Sequence, residues 1–466
     1  MPKRVIFFLC LPVVFYLISC SKDTQAPAPP APPKDTTVHV TGLTIDPTQF
    51  ILVPTMTRQL TAAVTPSNAA NKDVSWNTSD NTIATVDIYG VVKAVRVGTV
   101  TITASSKDRP SVKATTKLTV LRNYDVYAVG NAADHSAVMW KNGVSSSLPG
   151  GYLAGTDAYA ITLDGDDIYI AGNTINSSFW GIPTYWKNGI PHIVDNNIPN
   201  YYYYTRAIAV NSGKVYFTGY GFNSTECPAY CYGRFRAFYW VDDGGTISQT
   251  PLVDSISSTT AYGIAINGDN VIVAGARAND NFYRWSIGWK NDVDHGTILS
   301  PVDGYYEAMA VTVHGGDNYF VGYGGCANYG CNATAYVWKN DMSHTIPLTN
   351  GSTDAQATCM SFTGDTLYVG GYQRNAAGKK IATYWRVVGN QVSSPRSLSD
   401  GANDCTVNGI AAIGNDIFLV GMSVPSAGGG SAAGWRTYEG GLTPMFVDVT
   451  SYYLPYGYAA WGIYVR

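Results

Sequence analysis

From Asp125 onward, apolar and polar side chains alternate in short runs that close on glycine, and the run recurs seven times. The copies are DVYAVG ending at Gly130, DIYIAG at Gly172, KVYFTG at Gly219, NVIVAG at Gly275, NYFVG at Gly322, TLYVG at Gly370 and DIFLVG at Gly421. Period-2 alternation of this kind marks half-buried strands. A tryptophan follows each run: Trp140, Trp186, Trp240, Trp289, Trp338, Trp385 and Trp435. Four of these open the words WKNG or WKND. A period of roughly 50 residues with several strands per unit predicts a propeller, whose blades each pack only on their neighbours.

One unit reads clearly from Asp157 to Val194. A first strand (AYAITL) meets an Asp/Gly turn, then DIYIAG, a longer loop, a third strand ending at Trp186, the turn KNG and a fourth strand. Turns of that composition suit hairpins whose twist matches their strands. The first repeat lacks an opening strand, because Asp125 begins with the second-strand pattern. The last residues, Ala459 to Val465, read as a first strand without a successor. Pairing these two pieces would complete a seventh blade and remove two open sheet edges.

Residues 38–121 alternate differently, in short strands separated by Asp46-Pro47, Thr65-Pro66, Tyr89-Gly90 and Asp108-Arg109-Pro110, which suits a β-sandwich. The stretches LTIDP (Leu43 to Pro47), LTAAVTPSNAANKDVSW (Leu60 to Trp76) and TSDNTIATVDIYGVVKAVRVGTVTITA (Thr78 to Ala104) closely resemble the group 2 bacterial immunoglobulin-like family. That resemblance implies a spacer or adhesion module without catalysis. The later repeats, as in AIAVNSGKVYFTGYG and RAFYWVDDGG, loosely resemble the HAF-type extracellular repeat, which implies no chemistry. The expected fold is all-β: an immunoglobulin-like β-sandwich at 38–121, then a seven-bladed β-propeller at 122–466 closed by its C-terminal strand.

The N-terminus reads as a targeting segment. Lys3 and Arg4 precede an apolar stretch, Val5 to Ile18, too short for a comfortable membrane span. It ends in Leu17-Ile18-Ser19-Cys20, which resembles the lipobox of bacterial lipoproteins. The resemblance implies removal of residues 1–19, lipidation of Cys20 and anchoring in the cell envelope as an outer-membrane lipoprotein, with either membrane face open. Residues 20–37 are proline-rich and form an extended spacer.

Charged residues make up only 14% of the chain and the formal net charge is -3, with no basic run after Arg4. A nucleic-acid partner is therefore not expected. Tyrosine is abundant, with 34 residues. Loops between second and third strands, and those between blades, are long and would emerge on one face, where recognition usually sits. That face is expected to carry Tyr201, Tyr202, Tyr203, Tyr204, Tyr262, Tyr305, Tyr306, Tyr452 and Tyr453 on the blade connections. Trp180 and Trp285 fall in the second-to-third loops. Tyrosine and tryptophan pair a flat apolar body with a polar tip, which suits sugars and wet protein interfaces.

Six of the eight cysteines lie beyond Cys20, an even number for an oxidising compartment. Disulfides are expected within the loops at Cys227 and Cys231 and at Cys326 and Cys331, with Cys359 joined to Cys405. No zinc spacing, phosphate loop, GxSxG, HExxH or dinucleotide fingerprint is present, so no metal or cofactor is expected. His192, His295 and His344 are copies of one blade position and do not converge. Asp157, Glu307, Asp354 and Asp404 enter first strands, where paired acids could act on a glycan. The expectation is a lipid-anchored binding or adhesion protein whose Tyr-rich face engages a glycan or a protein. The alternative is a propeller-fold polysaccharide lyase or glycoside hydrolase.

Overall fold

The computed structural model describes residues 36–466, apart from 133, 135, 151–154, 177–180, 195–200, 224–234, 253–257, 279–283, 292–295, 302–303, 326–331, 426–429, 439–449 and 454–456. It is all-β, with no helix among the described residues, and divides into two units between Arg122 and Asn123. In the first unit, Gln49–Leu52 runs parallel to Lys113–Val120, which pairs Gly98–Ser106, which in turn pairs Val74–Thr78. Smaller sheets join Gly42–Asp46 to Thr61–Thr65, and Thr57–Gln59 to Val91–Ala94 and Ala84–Val86. The inward side chains Ile45, Phe50, Leu60, Val92, Ile102, Leu118 and Val120 meet in one core.

The second unit is a propeller-like succession of seven antiparallel sheets. Their first strands are Gly457–Val465, Thr156–Asp164, Tyr201–Asn211, Ser258–Asn267, Tyr306–His314, Ala355–Thr363 and Asp404–Ile413. We number the sheets one to seven in that order. Sheet one borrows its first strand from the C-terminus: Val465 lies opposite Val126, and Ala460 opposite Gly130. These first strands neighbour one another in sequence, and Gly457–Val465 packs on both Asp404–Ile413 and Thr156–Asp164. We call them the inner strands.

The seven repeat tryptophans are all buried, each in the seam with the preceding sheet. Trp186 packs on Tyr127, Val129 and Ala137, Trp240 on Tyr169 and Tyr185, and Trp435 on Tyr368 and Tyr384. Trp140 of sheet one meets Phe418, Val420 and Ala432 of sheet seven. An indole that fills a seam buries more apolar area than any other side chain can, which explains its recurrence.

The rest of the WKN word is also structural. Lys141, Lys187 and Lys339 lie 5.2, 5.2 and 5.6 Å from the ring centres of Tyr127, Tyr169 and Tyr319. The same lysines pair with Asp125, Asp167 and Asp317 at 3.4, 2.9 and 2.7 Å. The following Asn142, Asn188 and Asn340 adopt left-handed φ of 52°, 52° and 62°, which asparagine tolerates. Each accepts the N–H that opens the second strand, from Val126, Ile168 and Asn318 at 2.8 Å.

Every inner strand carries a β-bulge at the same place, and the repeat glycine lies beneath it. In sheet two the register jumps from Ala158 opposite Gly172 to Ala160 opposite Ala171, leaving Tyr159 unpaired. A Cβ on Gly172 would land on the carbonyl oxygen of Asp157. The same collision awaits Gly130 at Ala459, Gly219 at Tyr204, Gly275 at Thr260, Gly322 at Glu307 and Gly421 at Thr406. In sheet six the glycine in this position is Gly371, beneath the carbonyl of Gln356, one residue beyond the Gly370 read from the repeat. The landmark glycine is therefore a demand of the bulge.

Candidate functional site

A bulge redirects one side chain out of the strand alternation. The seven redirected residues are Trp461, Tyr159, Arg206, Tyr262, Met309, Thr358 and Asn408, and all are half-buried. Only Tyr159 and Tyr262 are of one type, so the residue varies on a constant frame. Several reach a neighbouring sheet: Asn408 Nδ2 donates to the Ala460 carbonyl at 3.0 Å, and Thr358 Oγ1 to that of Val407.

Around sheets one to four these side chains form a continuous aromatic arc. Trp461 donates its indole N–H to Asn131 at 3.1 Å and lies 5.8 Å from the ring of Tyr159. The Arg206 guanidinium lies 4.6 Å from Tyr159, 5.7 Å from Tyr204 and 5.5 Å from Tyr220. Tyr204 packs on Tyr202 and Tyr220 at 4.9 and 5.2 Å, and Tyr202 stacks on Phe222 at 5.8 Å. Tyr220 meets Tyr262 of sheet four edge-on at 5.7 Å. In sheet five, Tyr305 and Tyr323 donate their phenol protons to Glu307 at 3.1 and 2.8 Å. Arg284 of sheet four pairs with that same carboxylate and lies 5.5 Å from the Tyr305 ring.

Burial and the Glu307 charge set the protonation of these phenols. Burial holds the phenols of Tyr159, Tyr262 and Tyr323 well above the ordinary tyrosine value, and that of Tyr305 is pushed up to about 12, with the Glu307 charge adding to the last three. These hydroxyls therefore stay protonated, those of Tyr305 and Tyr323 with their protons held by Glu307. The four acids singled out in the sequence, Asp157, Glu307, Asp354 and Asp404, are each engaged locally. Glu307 is 4% exposed and tied to Arg284. Asp354 accepts from Arg374 at 3.0 Å and from Tyr372 at 3.3 Å, and Asp157 from Asn131 at 2.7 Å. Asp404 accepts the Lys380 backbone N–H at 2.7 Å, the main reason its carboxyl sits below the usual value. No hydrogen bond joins one of these acids to another, and no three His, Cys, Asp or Glu side chains converge among the described residues.

Several residues read from the sequence occupy other places than expected. Tyr201 to Tyr204 belong to the inner strand Tyr201–Asn211, not to a connection. Alternation splits them: Tyr201 and Tyr203 turn into the seam against Phe238, while Tyr202 and Tyr204 join the arc. Tyr262 is a bulge residue. Tyr306 is buried in the seam between sheets four and five, whereas Tyr305 is 41% exposed. Trp285 lies in the strand Arg284–Lys290, partly buried, with Arg277 5.9 Å from its ring. Tyr452 and Tyr453 lie in the fourth strand of sheet seven, opposite Gly434 and Ala433, again not in a connection. Cys20, Trp180, Cys227, Cys231, Cys326 and Cys331 lie outside the described residues.

The expected bond between Cys359 and Cys405 is absent, and both thiols are free and buried. Cys359 follows its bulge, as Gly409 does in the next sheet, and Cys405 precedes Gly409 by four residues. Four residues along a strand span roughly 13 Å, whereas a disulfide needs Cα atoms within about 7 Å. Cys405 contacts Ser423 instead.

Residues 39–117 match the bacterial Ig-like domain (group 2), so the first unit is a module of that family. Curated relatives share only a short stretch. One is an uncharacterized protein of Clostridium acetobutylicum, 40% identical over 85 residues, which are 18% of this chain and 9% of that protein. Another is a 3-O-alpha-D-galactosyl-alpha-L-arabinofuranosidase of Bifidobacterium longum subsp. longum, 42% identical over 80 residues, 17% of this chain and 7% of the enzyme. The chain thus spans less than a tenth of either relative. Among solved structures, the β-propeller domain of the Trilobed protease from Pyrococcus furiosus covers 78% of this chain and 99% of its own, at 9% identity and a TM-score of 0.36. A score that low carries no argument, and the architecture rests on the sheets themselves.

Proposed function

We propose that this protein is a lipid-anchored binding protein of the cell envelope whose closed seven-bladed propeller presents the aromatic arc to a glycan. The observation that carries this reading is the arc itself, which spans the inner strands of neighbouring sheets and combines ring faces with protonated phenols. Ring faces pack on the apolar face of a sugar, while hydroxyl and guanidinium groups take its oxygens. A protein ligand would use the same surface. The Ig-like unit serves as the stalk, and lipid on Cys20 with the proline-rich spacer holds the whole at the outer membrane. Many anchored copies would raise weak single-site binding through avidity.

The lyase or hydrolase alternative has less support, because Asp157, Glu307, Asp354 and Asp404 are each already engaged by a neighbour. The arabinofuranosidase relative adds nothing to it, since the shared stretch is 7% of that enzyme. The test is a glycan array probed with the mature chain and with the Tyr202→Ala/Tyr204→Ala double variant. The expected result is binding that the double variant loses at least tenfold. Absence of glycan binding in the wild type, or release of products from a polysaccharide panel, overturns the reading. Metabolic labelling with palmitate, abolished in Cys20→Ser, tests the anchor.

A further inference from the structure

We propose that Arg206 is an anion-binding anchor within this surface and selects acidic glycans, through a uronate carboxylate or a sulfate ester; this rests on the glycan-binding reading above. Four other arginines of the second unit have acidic partners: Arg284 has Glu307, Arg374 has Asp354, Arg436 has Asp416 and Arg466 has Asp166. Arg206 has none among the described residues. One terminal nitrogen donates to the Tyr220 hydroxyl at 3.0 Å, and its Nε is shielded from solvent with no hydrogen-bond partner. Tyr159, Tyr204 and Tyr220 surround the guanidinium with their rings.

A desolvated cation without a counter-charge is unfavourable, and cation–π contacts offset only part of that. Among the described residues the cluster lacks an anion. A guanidinium presents parallel N–H groups that match a carboxylate or sulfate in two-point contact, and such bonds strengthen where water is excluded. The bulge leaves Arg206 off the strand alternation and half-buried, not fully enclosed. Tyr202 and Phe222, stacked beside the cluster, supply the platform for the ring that bears the acid. Asp157 is the acid whose charge reaches these tyrosines. It is held by Asn131 and does not touch the guanidinium.

Calorimetric titration of the mature chain with oligogalacturonide, its neutral methyl ester, a sulfated oligosaccharide and sodium acetate tests this. Loss of a charge-assisted contact amounts to roughly ten- to hundredfold in affinity. In the wild type, the acid form should therefore bind at least tenfold more tightly than the ester. Arg206→Gln should erase that preference by weakening acid binding at least tenfold more than ester binding, and Arg206→Lys should keep part of it. If the sulfated sugar is preferred instead, the anchor stands and the ester class is sulfate. Equal binding of acid and ester by the wild type overturns the anchor but leaves glycan binding standing. Binding of neither, with none of the array glycans bound, overturns the reading beneath it. Acetate binding as tightly as the oligosaccharide also overturns it, by marking a small-anion site only. If Arg206→Gln fails to fold, the wild-type acid-to-ester ratio and Arg206→Lys decide.

Discussion

Gly172→Ala tests whether the bulge dictates the repeat glycine. The new Cβ would occupy the position of the Asp157 carbonyl oxygen, a backbone atom that cannot swing aside as a flexible side chain can. Either the bulge flattens, or the inner strand Thr156–Asp164 parts from Asp167–Ile175 at this point. Overpacking costs about 1–3 kcal/mol, and the two or so ladder hydrogen bonds lost with it add about 1 kcal/mol each. The sum is about 3–5 kcal/mol. The control is Gly165→Ala in the turn of the same sheet, where φ is +58° and nothing lies within 4 Å of the new methyl. That residue bears only the left-handed backbone cost, about 1–2 kcal/mol. Urea unfolding followed by tryptophan fluorescence compares the two, with Trp186 buried beside sheet one as a nearby reporter. A Gly172→Ala loss within 1 kcal/mol or so of the control would refute the reasoning.

Three further outcomes follow from the same geometry. Glu307→Gln removes the counter-charge of Arg284, and thermal unfolding should show a loss of about 3 kcal/mol; an unchanged midpoint would show the pair to be dispensable. Burial pushes the Cys359 thiol up to about 12, so iodoacetamide at pH 8 should leave that residue unlabelled until urea is added. A linked Cys359–Cys405 peptide in the native digest would contradict the free thiols. The carboxyls of Asp125, Asp167 and Asp317 are held below the usual value, chiefly by Asn142, Lys187 and Lys339 respectively. Because the folded values are depressed, their contribution is full above the unfolded value near pH 4 and fades as pH falls through the folded ones. The urea midpoint should be level from pH 5 to 8 and decline below about 4, less steeply in Asp167→Asn; an equal decline would refute the assignment.

The strands, the seven units and the Ig-like module were legible because period-2 alternation, Asn-Gly turns and the Trp landmark are local signals. The bulge was not. Its seven residues have no common identity, tyrosine recurring only at 159 and 262, and its trace is a glycine that reads equally well as a strand end. The four tyrosines at 201–204 show why pattern reading failed there: identical side chains carry no alternation, so strand and loop look alike until pairing with Tyr220 to Asn223 fixes the faces. Arg206 and Tyr159 stand about 50 residues apart, and only the packing of sheet three on sheet two brings them together. The acids were visible as residue types, but the partners that hold them, such as Arg284 and Tyr323 on Glu307, come from other strands. An even cysteine count likewise says nothing of Cα separation.

The decisive measurement is a crystal structure with the tightest-binding array oligosaccharide bound. Sugar rings are expected over Tyr202, Tyr204 and Tyr220, with hydroxyls or an acidic group within hydrogen-bond reach of Arg206. Density instead at the turns around Asn142, Asn188 and Asn340, or on the Ig-like unit, would contradict this placement.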